Sequence, residues 1–258
     1  MQIYALDHAS RLVHARTAER GVVYICPECS KEVRTRSGRV RQPHFYHLDA
    51  TSCVLHGKSL IHLQIQCALQ SMLSPEEIQL ERRFPRIARI ADVVWPAQKL
   101  IFEVQVSPIS SLEVRARNRD YAQEGYQVVW ILHDRRFNRS RVSGAEVALR
   151  FSPHYFTNMD ALGKGIFYDQ HAHFRFKRRQ TRSHRFPVRF KRLFPINPKQ
   201  LPRHFPEERK RWPFSFEGDL FQKGTYWLPQ AKTPLAWIRP LTRFLRLIHH
   251  LLLEKTTF

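Results

Sequence analysis

The sequence predicts a mixed α/β fold: a sheet of meandering strands with helices on its faces, an amino-terminal β-rich module and a basic, partly helical carboxy-terminal region. Three observations carry this. Helical periodicity over 57–73 and a capped helical stretch after Ser110 bracket three apolar strand-like runs between Ile78 and Val106. A fourth uninterrupted apolar run, Tyr126–Leu132, follows the second helix, and a strand reached through a helical crossover returns parallel to its neighbour. From His154 onward the composition shifts to arginine, proline and phenylalanine.

The chain has 258 residues, formal charge +21 and four cysteines. That length allows one moderate domain with appendages or two small domains. The charge points to a polyanionic partner, nucleic acid before an anionic membrane surface. The late apolar stretch Leu241–Leu253 is broken by Arg243, Arg246, His249 and His250, so it is not a membrane span, and the first residues lack the pattern of a secretory signal. Together with the spacing of the cysteines this places the protein in a reducing cytoplasmic compartment.

Residues 1–56 read as short strands, QIYAL, RLVHA, VVYIC and KEVRTR, turning at Gly21 and Gly38. Cys26-Pro-Glu-Cys29 has the knuckle spacing of a tetrahedral zinc site, and His44 and His47 supply a second close pair, with Cys53 as an alternative ligand. Four protein ligands close the coordination shell, so this zinc would be structural. A core at 57–153 comes next. In the helix over 57–73, Lys58, His62, Gln66 and Gln70 form one polar stripe on an otherwise apolar surface. The strand Ile78–Phe84 carries Glu81. Ala88–Trp95 and Lys99–Val106 then form a hairpin about Pro96-Ala97-Gln98. Symmetric pairing puts Asp92 across from Glu103, their Cβ atoms roughly 5 Å apart, with Gln105 on the same face. Two carboxylates facing one way among Ile, Val and Phe residues call for a hard divalent cation, Mg²⁺ or Mn²⁺. Ser110 and Glu113 form a capping box for a helix to Glu124, stopped by Gly125 and bearing Arg115, Arg117, Arg119 and Tyr121, of which Arg115, Arg117 and Tyr121 are candidate nucleic-acid contacts.

In the region 154–258, Arg175, Lys177, Arg178, Arg179, Arg182, Arg185, Arg189, Lys191 and Arg192 are interleaved with Phe174, Phe176, Phe186, Phe190 and Phe194. Such a tract can track phosphates and stack unpaired bases, or the phenylalanines can dock on the core. Recurrent prolines from Pro187 to Pro213 prevent a long helix, and residues from about 235 to 254 read as a basic amphipathic helix.

The order helix–strand–strand–strand–helix–strand, with Asp92 on the second strand and Glu103-Val-Gln105 on the third, resembles the restriction-endonuclease-like PD-(D/E)XK core. Residues from about 1 to 135 resemble the competence protein CoiA-like family more narrowly. The resemblance rests on Cys26/Cys29, the HFYH run, Ser59-x-x-His62-Leu63, Arg89-x-x-Asp92, Glu103-x-Gln105-x-Ser107, Arg117-x-x-x-Tyr121 and Val128-x-Trp130-Ile131-Leu132. It implies a metal-dependent DNA nuclease or DNA-processing protein acting in recombination of imported DNA, alongside a recombinase. Asp92 and Glu103 would hold Mg²⁺ or Mn²⁺, Glu81 would be an extra ligand or an acceptor behind the ligands, and Gln105 would orient the attacking water, aided by His62 or a nearby Arg. Two departures stand out: Lys58 and Gln66 occupy positions where that family usually has Glu and Lys. With Gln105 in place of the superfamily's usual Lys, they support a second reading behind that one, a non-catalytic DNA-binding or bridging protein on a degenerate nuclease core.

Overall fold

The computed structural model describes residues 1–38, 42–49, 53, 58–73, 77–203 and 205–223. The terminal helix expected near 235–254 lies outside them. Five strands, β1 (Tyr4–Leu6), β2 (Leu12–His14), β3 (Val23–Ile25), β4 (Glu32–Arg36) and β5 (His44–His47), form an antiparallel sheet in the order β2-β1-β3-β4-β5. Its small core gathers Tyr24, Val33, Phe45 and Cys26.

Helix α1 (Leu60–Met72) begins at Ser59, whose hydroxyl accepts from the His62 backbone N–H. The larger sheet contains β6 (Gln79–Phe84), β7 (Arg89–Trp95), β8 (Leu100–Gln105) and β9 (Gln127–His133), with α2 (Ser111–Gln123) joining β8 to β9. β6, β7 and β8 pair antiparallel and β8 pairs parallel with β9, as a meander closed by a helical crossover requires. Lys99 takes the left-handed conformation, φ 53°, to close the three-residue hairpin turn.

The sheet continues past residue 153, beyond the expected edge of the core. After α3 (Gly144–Ala148), β10 (His154–Thr157) pairs parallel with β9, and β11 (Phe167–Asp169) extends the sheet. The hairpin β12 (Ala172–Arg175) and β13 (Arg178–Arg182) projects next. Then β14 (Phe186–Pro187) completes the seven-stranded order β14-β11-β10-β9-β8-β7-β6. A last pair, β15 (Arg189–Pro195) and β16 (Phe214–Glu217), is followed by the short α4 (Leu220–Lys223).

Alternation along β8 separates two cores. Phe102 and Val104 face α1 together with Phe190, Trp212 and Phe216. Ile101 faces α2 and α3 through Val114, Tyr121, Ala145 and Leu149. The basic tract therefore does not hang free: Phe186 and Phe190 are buried, whereas Phe176 at the β12–β13 turn is 87% exposed.

Candidate functional site

Asp92 is where the regular sheet fails. β6 pairs with β7 through Leu80↔Val93 and again at Arg82↔Ala91, but the Glu81–Asp92 step is skipped, and Glu81 has φ 52°. Counting back from Val94, alternation would set Asp92 on the α2 face with Glu103, as the sequence suggested. Yet Ala91 as well as Val94 lies in the α2-side core, so one residue between them is displaced from the pleat. The Asp92 carboxylate turns toward α1 instead. Its Oδ1 accepts from Lys58 Nζ at 2.8 Å and from Gln66 Nε2 at 3.2 Å, and lies 2.9 Å from His62 Nε2. Oδ2 accepts the Val104 backbone N–H at 2.9 Å. Three residues of the polar stripe, Lys58 just ahead of the N-cap with His62 and Gln66 on α1, thus converge on one side chain.

Glu103 stays on the α2 face. Arg117 Nη1 donates to its Oε2, and Tyr121 Oη donates to its Oε1 at 2.7 Å. Tyr121, expected at a nucleic-acid surface, is fully buried and serves this carboxylate. Glu113 completes the network. Its side chain takes Arg117 Nε at 2.9 Å and Arg89 Nη1 at 2.7 Å, and Arg89 also binds Asp120. Ser110 still caps α2 by accepting the Glu113 backbone N–H, but the return half of the capping box gives way to these ion pairs. Reciprocal capping does occur at Ser143 and Glu146, a site the sequence reading missed although the S-x-x-E pattern is present.

The two carboxylates sense each other. Burial opposes a charge on Asp92, but His62 and Lys58 hold its carboxyl well below the usual range. Burial and then the Asp92 charge push Glu103 up to about 7, against the pull of Arg117 and Tyr121. Burial likewise opposes the Lys58 charge, yet Asp92 and Glu81 raise it above an ordinary lysine. Glu81 accepts from Lys58 at 3.2 Å through Oε1 and from the Ile3 backbone N–H at 3.2 Å through Oε2, which ties the amino-terminal module to the site. Gln105 spends its amide N–H groups on Ser107. A cleft of about 640 Å³ opens over these residues, with Lys58, His62, Asp92, Gln105, Arg117 and Arg135 in its wall.

The donor set does not fit a Mg²⁺ or Mn²⁺ ion as arranged. Every Asp92 oxygen is already engaged, Oδ1 by three nitrogens. Among the described residues, no group of three or more carboxylate, histidine or cysteine ligands gathers at Asp92 and Glu103. A hard dication needs several free oxygen lone pairs; here an ammonium and a guanidinium hold them.

A second cluster fits a metal well. Ligand atoms of Cys26, Cys29, His47 and Cys53 lie within 4.8 Å of one another. Cys26 Sγ and Cys53 Sγ are 3.7 Å apart, and Cys29 Sγ lies 3.2 Å from His47 Nε2. A tetrahedral ion with sulfur ligands at about 2.3 Å has edges of about 3.8 Å, so a Cys₃His set suits zinc. His44 does not join it and instead pairs its Nδ1 with the Gln42 carbonyl at 2.8 Å. The reason is geometric: residues 44 and 47 lie on one strand three apart, so they point to opposite faces. Cys53, the alternative, takes the place.

Residues 58–186 match the family model described as the competence protein CoiA nuclease-like domain, and residues 7–56 match the competence protein CoiA amino-terminal domain. The chain belongs to the CoiA family. No curated protein and no solved structure matches it. Among its described residues no helix is long and apolar enough to cross a membrane. The exposed part of the CoiA-like chain's basic tract is Arg175, Lys177, Arg178, Arg182, Arg185, Arg189, Lys191 and Arg192, with Arg115 exposed on α2. Arg185 lies 3.3 Å from Asp134 and Arg189 lies 3.7 Å from Glu217. Arg179 is a correction: its side chain is 6% exposed and pairs with Glu146 at 2.5 Å, so it is structural.

Proposed function

We propose that this CoiA-family chain binds DNA during the recombination of imported strands, with its nuclease-like core gripping the phosphodiester backbone and without a divalent-metal centre at Asp92 and Glu103. One observation carries this: each carboxylate under the cleft already has a side-chain cation, Lys58 on Asp92 and Arg117 on Glu103. With Arg135 and the exposed residues of the basic tract, the surface offers many cations to phosphates and few open ligand oxygens to a metal. The Cys₃His cluster would hold zinc and keep the amino-terminal module folded. A competence recombinase is the partner that the family resemblance brings with it.

The rival reading is metal-dependent hydrolysis, in which Asp92 and Glu103 hold Mg²⁺ or Mn²⁺ near a water served by Gln105 and His62. It draws support from the upward push on Glu103, caused first by burial and then by the Asp92 charge, the second of which a dication would relieve. The test is incubation of the zinc-loaded chain with labelled single- and double-stranded DNA, with and without Mn²⁺. Salt-sensitive binding with no cleavage is the expected result. Cleavage that disappears in Asp92→Asn and in Glu103→Gln would establish the hydrolase.

A further inference from the structure

We propose that Lys58 is a built-in replacement for a divalent cation, and that the space its ammonium fills between Asp92 and Glu81 is a latent Mg²⁺ or Mn²⁺ site that opens when the ammonium is removed. The inference rests on the metal-free reading above and deepens it.

The argument is one of position and valence. Lys58 stands immediately before the N-cap of α1, so its backbone is fixed by the same helix that aims His62 and Gln66 at Asp92. Its ammonium bridges Asp92 Oδ1 at 2.8 Å and Glu81 Oε1 at 3.2 Å, and the three side chains are 13%, 6% and 5% exposed. An ammonium is a compact point charge with three donors and no acceptor. It can therefore neutralise oxygens that a metal would ligate, but it can never share them with one. A dication placed beside it would also meet a fixed positive charge in a shielded setting, where repulsion is poorly screened. Two carboxylates, Asp92 and Glu81, share that single ammonium, whereas Glu103 has its own cation in Arg117. The cation between Asp92 and Glu81 is thus supplied by the chain itself. The broken β6–β7 step explains how Glu81 arrives: its left-handed backbone turns the carboxylate toward Lys58 and the Ile3 amide.

The experiment uses the full zinc-loaded chain in chelator-free buffer and Mn²⁺ as the probe, read by electron paramagnetic resonance and by thermal melting. Lys58→Met keeps the volume of the side chain and removes the charge. It is expected to bind one Mn²⁺ per chain at least tenfold more tightly than the wild type, and to gain several degrees in Tm at about 100 times Kd. Lys58→Met combined with Asp92→Asn is expected to lose that binding. Lys58→Glu, which adds a ligand oxygen, is the second variant should the methionine fail to fold, with the same expectation. Wild-type chain that binds one Mn²⁺ in an Asp92-dependent way overturns the proposal. So does a folded Lys58→Met or Lys58→Glu that binds none. DNA retention is scored separately, so loss of DNA binding strikes the functional reading while leaving the Mn²⁺ result to judge this one.

Discussion

Asp92 and Glu103 are two acids under one cleft whose environments drive them apart. Asp92 accepts four nitrogen donors and keeps its charge, whereas Glu103, buried beside that charge, is pushed up to about 7. A carboxyl whose folded-state pKa lies above its unfolded value of 4.5 holds a proton that the unfolded chain has already lost. Stability from Glu103 is thus present below about pH 4.5 and is lost as the pH rises to about 7. Glu103→Gln is expected to flatten this part of the profile. The wild-type Tm, compared with the variant at pH 5 and pH 8, should fall on the alkaline side by an equivalent of at most about 3 kcal/mol; parallel profiles would refute the burial of that charge. Tyr121→Phe leaves one Glu103 oxygen without its hydroxyl donor and should cost about 1–3 kcal/mol in denaturant melts. At this scale the sequence was partly legible. Polar residues inside apolar strands flagged Asp92 and Glu103, and the helical stripe flagged Lys58, His62 and Gln66. What a linear pattern could not reveal was the broken pleat at Glu81 and Asp92, because it depends on which residues two strands leave unpaired. Nor could it show that Arg117 and Tyr121 turn inward to Glu103.

The clearest lesson from single elements comes from β5. Its HFYH run read as a pair of ligands, but a strand presents residues three apart to opposite sides, so only His47 reaches the cysteines. Cys53→Ser is accordingly expected to lose bound zinc, from about one equivalent to a small fraction by elemental analysis, while His44→Ala retains it. Zinc retained in the serine variant would reinstate His44. A strong chelator should unfold the amino-terminal sheet first, read as early loss of amide protection in β3 and β4 with β8 and β9 still protected. Strand order within the core was readable because continuous apolar runs and the Pro96-Ala97-Gln98 break leave few alternatives. The half-made capping box at Ser110 was not, since Glu113 has a stronger use for its carboxylate between Arg89 and Arg117.

Across the whole molecule, the carboxy-terminal region is stitched to the sheet by charge as well as by phenylalanine. Asp169 accepts from Arg209 at 2.6 Å and from the Leu220 backbone N–H, while Tyr155 donates to Asp219 at 2.9 Å. These contacts turn a tract that reads as a loose basic tail into part of the fold, and they sort its cations into two groups. Those at the β12–β13 turn, Arg175, Lys177 and Arg178, are exposed beside the exposed Phe176 ring. Arg179, one residue on, is locked to Glu146. Each phosphate neutralised on duplex DNA releases counterions and contributes about −0.9 to the slope of log affinity against log salt. If the hairpin grips DNA, replacing Arg175, Lys177 and Arg178 together by alanine should make that slope shallower by about 2–3, with the melting temperature nearly unchanged. Arg179→Ala should do the reverse: it leaves Glu146 buried without its cation, so the Tm falls by several degrees while the salt slope of the folded protein holds. A triple variant with an unaltered slope would move the DNA-binding surface away from this hairpin, toward the cleft walled by Lys58, Arg117 and Arg135.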